Sequence, residues 1–384
     1  MIRDGCLSHC DTKGIDCPCY GVAGQDTRLK FHDWHNGRQR FRCVQCGHLV
    51  SARVGTACAG IRTPESIYES GARHLAEGTS IRATGRLLNV DKDTVGHWLP
   101  RLGAHCNRVM SYFFRDLHLS ECQLDELWTF IYKKEDQLTP LDELLGIYGD
   151  AWVWIAFSPV CKLVPAWVVG KRTLANARKL VFRLKSATDG YIPFFTSGEL
   201  PHLPMRCWRR MGSGIPHHVK ELAGEIPCLV GPPPPDLCYA VVVKERENGR
   251  VVNVTTRVVY GHEQQVSAAL KASPVSTTSN TYGVERNNLT IRQHSRRMGR
   301  KVNAFSKERD YLEHQLTLAF AYYHFVRPHR GLRQQLPEPL PTKGPRASYK
   351  KWRLVTPAMA AGLTDHVWNL DELLSFRVPP KPAG

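Results

Sequence analysis

No stretch of this chain is long and apolar enough to be expected to cross a membrane. The most apolar segment, AWVWIAF and its sequel, is broken by Pro159, Lys162 and Pro165, whereas a spanning helix needs about 20 apolar residues in succession. The opening MIRDGCLSHC holds no apolar h-region, so a secretory leader is not expected. No internal repeat stands out. Between Arg286 and Lys301 there is no acidic residue, which argues against a solvated helix laced with salt bridges.

What is present points to polyanions. The chain has 384 residues, 42% of them hydrophobic, and a formal charge of +17. That length supports a real core and more than one domain. A positive surface attracts nucleic acid, the commonest large polyanion. Six of the thirteen cysteines fall within the first 46 residues. Their clustering in short pairs favours a metal site over a disulfide framework.

Residues 1–58 are expected to form a zinc-ribbon-like domain. Cys43 and Cys46 make a C-x-x-C followed by Gly47, the turn that presents two thiolates to a structural zinc. Cys17 and Cys19 are the natural second pair, although their C-x-C spacing is short. Cys6, His9, Cys10 and His48 are alternative ligands. Arg28, Lys30, Arg38, Arg40 and Arg42 between the pairs suit phosphate contact.

Residues 59–118 read as a helix-turn-helix DNA-binding domain. Pro64 opens a first helix whose apolar face is Ile67, Tyr68, Ala72 and Leu75. Gly78 and Thr79 end it, and a second helix runs from Ile81 to Leu88. Asn89 and Val90 form the turn, and Asp91 caps a third helix from Lys92 to Leu99. Lys92, Thr94 and His97 would then face a major groove, with Arg101 on a phosphate.

Residues 119–330 read as an α/β catalytic domain, with an irregular insert at about 201–236. CQLDELWTFIY alternates as a strand and puts Asp125 and Glu126 on opposite faces; Asp125 is taken for the site. Strands follow at Ala151–Pro159 and Leu163–Val169, then a helix at Ala175–Ser186 and a strand at Ile192–Thr196. Two more strands meet at an Asn248-Gly249 hairpin turn. Glu285 opens a helix that carries Arg286, Arg292, Arg296, Arg297, Arg300 and Lys301, basic residues suited to a phosphate backbone. A long helix is expected over Ala304–Val326, with His324 and His329 near scissile DNA. Residues 331–384 read as a basic, proline-rich extension packed on the outside.

Together these segments resemble a family. LDELW, the strand before TSGEL, VERNNLTIRQHSRRMGRKVNAFSK and YYHFVRPHRGL are similar to the acid-triad (DDE) transposases of small bacterial insertion sequences. That resemblance implies a ribonuclease H-like mixed sheet behind the zinc knuckle and helix-turn-helix. It makes Asp125 the first metal-binding acid and Glu285 the third, holding Mg²⁺ or Mn²⁺. The second acid would follow Thr196-Ser197, where this chain has Gly198; Glu199 is the nearest substitute, but the next side chain along an extended strand turns away. The implied chemistry is hydrolysis at element ends, then attack of the freed 3′-hydroxyl on target DNA. Partners would be terminal repeats, target DNA and a second copy of the chain, in the bacterial cytoplasm at the nucleoid. Loss of the middle acid leaves a second reading: a DNA-binding regulator without catalysis.

Overall fold

The computed structural model describes residues 17, 29–35, 38–200, 234–299, 301–341 and 348–378. The chain begins with a three-stranded antiparallel sheet of β1 (Leu29–His35), β2 (Arg38–Cys43) and β3 (Leu49–Ser51). Its side chains are too few to make a core of their own. Phe41 and Val50 are buried directly opposite each other, and Cys17 and Cys43 form a separate small cluster.

Three helices follow: α1 (Glu65–Ala76), α2 (Ile81–Leu88) and α3 (Lys92–Phe113). Pro64 precedes α1, and Asp91 caps α3 by accepting from the Asp93 amide, as the sequence suggests. Asn89 takes a left-handed conformation at the end of α2. Gly85 is required at this turn, because a Cβ there would lie 2.7 Å from the Val90 carbonyl.

The third helix is much longer than the eight residues expected. Pro100 reads as a stop because it lacks an N–H and crowds the preceding turn, at a cost of about 3 kcal/mol. The helix continues through it, with Trp98, Leu99, Leu102, Cys106 and Val109 all buried. Burial of that face offsets the lost hydrogen bond.

The remainder is α/β, built on a mixed six-stranded sheet. Its strands are β4 (Glu121–Ile131), β5 (Gly149–Phe157), β6 (Ala166–Gly170), β7 (Phe194–Ser197), β8 (Tyr239–Glu247) and β9 (Arg250–Tyr260). A short helix, α4 (Pro140–Leu145), lies between β4 and β5, and α5 (Leu174–Ala187) between β6 and β7. The spatial order is β6-β5-β4-β7-β8-β9, with β4, β7 and β8 parallel and the outer pairs antiparallel. Asn248 and Gly249 both have positive φ, as the β8–β9 hairpin requires.

After α6 (Glu263–Ala272) come α7 (Tyr282–His294) and α8 (Arg309–Ala321), which runs into a π-turn at Tyr322–Val326. Gly103 of α3 sits so near α8 that a Cβ would meet His314 at 2.6 Å. The sequence starts this helix at Ala304, five residues early. In the structure residues 304–308 precede it, and the Ser306 carbonyl accepts from the Tyr132 amide. None of the described helices is long and apolar enough to cross a membrane.

The described residues from Val355 to Phe376 are not packed on the outside, as the sequence suggests, but enter the core. A hairpin of β10 (Gln334–Pro341) and β11 (Tyr349–Arg353) leads to α9 (Pro357–Ala360) and α10 (Leu370–Ser375). Trp368, Leu370, Leu373 and Leu374 are buried. The Leu374 carbonyl accepts from the Ala57 amide, and Phe376 packs on Phe113. Leu370, Leu373 and Leu374 share one helical face, which packs α10 against α3 beyond Pro100.

Candidate functional site

Asp125 sits at the middle of the central strand, and α7 is moored to the same face of the sheet. Gln123, two residues before Asp125, donates to the Asn280 carbonyl at 3.0 Å and accepts from the Val284 amide at 2.8 Å. Thr196 on β7 also donates to the Asn280 carbonyl, at 3.3 Å. These bonds fix the start of α7, and with it Glu285 in its first turn. Glu126 faces the other way and pairs with Arg172, so the alternation that separates the two acids is observed.

Gly198 stands beside Asp125. The β4–β7 ladder pairs Gln123 with Thr196 and Leu124 with Ser197; the next residues in step are Asp125 and Gly198. A Cβ at Gly198 meets nothing within 4 Å, and its φ is not positive. An aspartate side chain therefore has room there. Glu199 is exposed and one residue out of phase, so it does not take that place.

The two acids differ in environment. Burial is the main cause that pushes the Asp125 carboxyl up to about 6, and the Glu285 charge adds to the rise. Its oxygens accept from the Glu126 amide at 2.8 Å and from Asn288 Nδ2 at 2.6 Å. Burial also tends to raise Glu285, but Lys244 and Thr281 outweigh it and hold the carboxyl below its ordinary value. Lys244 forms an ion pair with Glu285 Oε1, and the Thr281 hydroxyl donates to the same oxygen at 2.7 Å.

Asn288 and Lys244 escape the sequence reading. Asn288 lies three residues after Glu285, on the same helical face, and that spacing was a usable signal. Its Oδ1 is buried with no hydrogen-bond partner among the described residues. Lys244 is the first charged residue after the apolar run of β8, a pattern that marks a strand end as readily as a site.

The basic residues divide. Lys92 from α3 and Arg292, Arg296 and Arg297 from the region after Glu285 line one cleft of about 880 Å³, joined by Arg82 and Lys307. Asp93 and Glu308 are its acids. The cleft is held together by Tyr322, which donates to Glu77 at 2.7 Å, and by Gln315, which donates to the Leu75 carbonyl at 2.8 Å. Thr94 is half-buried and His97 exposed; neither lines it. Arg101 donates to the Ala59 carbonyl at 2.7 Å. Arg286 and Lys301 are exposed. Arg300 lies outside the described residues.

The helix expected to carry these basic residues as far as Lys301 stops short. The helix ends at His294, Ser295 is extended, and Arg296–Met298 make one 3₁₀ turn. Arg297 turns inward, over the Tyr311 ring and 3.2 Å from Ser306 Oγ. His324 does not reach the surface. It is fully buried and accepts from the Val164 amide at 3.1 Å. His329 Nδ1 accepts from the Gly331 amide at 3.1 Å.

The amino-terminal cysteines fit a metal. Sulfur atoms of Cys17, Cys43 and Cys46 all lie within 4.8 Å of one another. Cys17 and Cys43 are 3.9 Å apart at sulfur, close to the roughly 3.8 Å expected of two thiolates on one tetrahedral zinc. The amides of Gln45 and Cys46 donate to Cys43 Sγ at 3.3 and 3.4 Å, which stabilises a thiolate. Cys19, the fourth ligand expected, lies outside the described residues. Cys58, Glu65 and Glu69 form a second group with metal-ligand spacing, but Glu65 is already paired with Arg53.

The chain is thus an α/β protein with a mixed six-stranded sheet and a tight three-cysteine cluster fit for a metal ion. Neither a protein-family model nor a curated protein matches it.

Proposed function

We propose that this protein is a DNA-binding transposase of the insertion-sequence, acid-triad type, with a ribonuclease H-like domain whose metal site lacks its second acid. The observation that carries this reading is the convergence of positions 125, 198 and 285 on one side of the sheet. Three positions far apart in sequence come to one side of the sheet on a strand, at the end of its neighbour and on a helix, which is the arrangement that chemistry uses. The strand order supports it too: three antiparallel strands, a helix, then a fourth strand parallel to the first.

The DNA path in this reading is the basic cleft. It joins Lys92, at the start of the proposed recognition helix α3, to Arg292, in the last turn of the helix that Glu285 opens, and to Arg296. Phosphate contact there is electrostatic and does not depend on the missing acid. Asp125, Gly198 and Glu285 do not suit a pair of Mg²⁺ ions, because two ions need a bridging carboxylate. The residues that remain bind and orient duplex ends. The regulator reading is favoured at this point by the Lys244–Glu285 pair, which occupies a carboxylate oxygen that catalysis would use.

The test uses labelled duplexes from both flanks of the coding sequence, with Mn²⁺, and the protein beside its Gly198→Asp variant. Both proteins are expected to bind, and only the variant to nick. Nicking by the unchanged protein would show that another carboxylate completes the site. Failure of both to bind DNA would refute the proposal.

A further inference from the structure

The acid site is short of a carboxylate, and it also contains a cation of its own. Lys244 projects from β8 with its side chain about four-fifths buried. Its ammonium pairs with Glu285 Oε1 and donates to Thr281 Oγ1 at 3.1 Å. Thr281 in turn donates to that same Glu285 oxygen. The three groups form a closed triangle at the start of α7, so the ammonium has a built seat. Arg246, two residues further along β8, adds positive potential at Glu285.

We infer that Lys244 is the resident cation of this site and competes with divalent metal for Glu285. The inference rests on reading Asp125, position 198 and Glu285 as one site. A divalent ion bound between Asp125 and Glu285 must displace the ammonium or tolerate it a few ångströms away. Like charges at that range repel strongly where the walls are partly buried. Restoring an acid at position 198 alone therefore leaves the site handicapped. A site that keeps its lysine holds Glu285 in place without any metal, and the start of α7 with it.

The experiment is direct Mn²⁺ binding to the zinc-loaded, DNA-free protein, read by electron paramagnetic resonance of the free ion. Four proteins are compared: unchanged, Gly198→Asp, Gly198→Asp/Lys244→Met and Gly198→Asp/Lys244→Arg. Methionine keeps the buried stem and removes the charge; arginine keeps the charge. The methionine double variant is expected to bind Mn²⁺ at least about tenfold tighter than Gly198→Asp. The arginine double variant is expected to gain nothing over Gly198→Asp. Thermal unfolding of each protein checks that the fold survives.

Equal affinity of Gly198→Asp and the methionine double variant overturns the inference, since the lysine then swings aside at no cost. That outcome leaves the acid-site reading intact. If the unfolding transition is preserved and none of the four proteins binds Mn²⁺, both the inference and the acid-site reading fall.

Discussion

At the scale of single residues, Asp125 carries the most readable consequence. Its folded carboxyl titrates at about 6, against 3.8 for an ordinary aspartate. Between those values the folded state keeps a proton that the unfolded chain has released. Stability from this group is therefore complete below the unfolded value and is lost as pH rises toward 6 and beyond. A two-unit shift corresponds to at most about 3 kcal/mol, and partial exposure reduces that to about 1–2 kcal/mol. In buffer with a chelator, Asp125→Asn should be more stable than the parent at pH 7, with a flatter profile from pH 4 to 7. Urea denaturation across that range decides it; an unchanged slope means Asp125 is not strained by burial. The sequence exposed Asp125 and Glu285 through alternation and helix position. It did not expose Lys244, because nothing local says which strand lies beside which helix; for Asn288 the local signal was only its spacing of three from Glu285.

Elements tell a different story for charge. The arginines at 292, 296 and 300 have helical spacing, and no proline interrupts them. The residues after α7 are held by one tertiary and one local bond: the Arg297 carbonyl accepts from Thr129 on β4 at 3.3 Å, and Arg292 donates to the Met298 carbonyl at 2.5 Å. Sequence periodicity cannot register such contacts, whereas the strands of the sheet were legible because each alternates or runs apolar by itself. The consequence is a split between neighbours. Arg296→Ala should leave stability unchanged, weaken duplex binding at every sequence and reduce the salt slope by about 1. Arg297→Ala should instead cost about 1–3 kcal/mol in unfolding, since it removes a buried cation–π contact and a hydrogen bond. Binding isotherms at several salt concentrations, beside urea melts, separate the two; equal stability losses contradict the assignment.

The small sheet of β1 to β3 is an element that cannot stand on burial alone. Structural zinc is folding free energy for units of this size. Stripping metal with a strong chelator should abolish amide-exchange protection over residues 38–51 while β4 and β5 stay protected. Metal analysis of the native protein should give about one zinc per chain. Protection that survives the chelator means the cysteines pack without an ion.

For the whole molecule, the decisive feature is that distant parts of the chain share one core. Phe113 of α3, Phe325 at the end of the π-turn, and Trp368 and Phe376 near the carboxy terminus form one aromatic cluster. His105 Nε2 lies 2.9 Å from the Leu373 carbonyl, and Arg377 donates to the Val54 carbonyl at 3.0 Å. The described residues from Val355 to Arg377 thus bind the helical front to the π-turn at the end of α8. A proline- and lysine-rich composition hid this, because the few apolar residues that do the packing are separated by polar ones. Trp368→Ala removes an indole stacked 4.9 Å from the Phe325 ring, and truncations of this kind cost about 3–5 kcal/mol. If the cluster joins the two parts, the loss should appear as one earlier cooperative transition, with helical and sheet signals moving together. Circular dichroism and tryptophan fluorescence followed through the same urea titration test this. Should the helical front melt first, with the sheet transition unmoved, the cluster stabilises only α1 to α3, and the basic cleft depends on the direct contacts of α1 and α3 with α8 and the π-turn, Glu77–Tyr322 and Leu75–Gln315 among them.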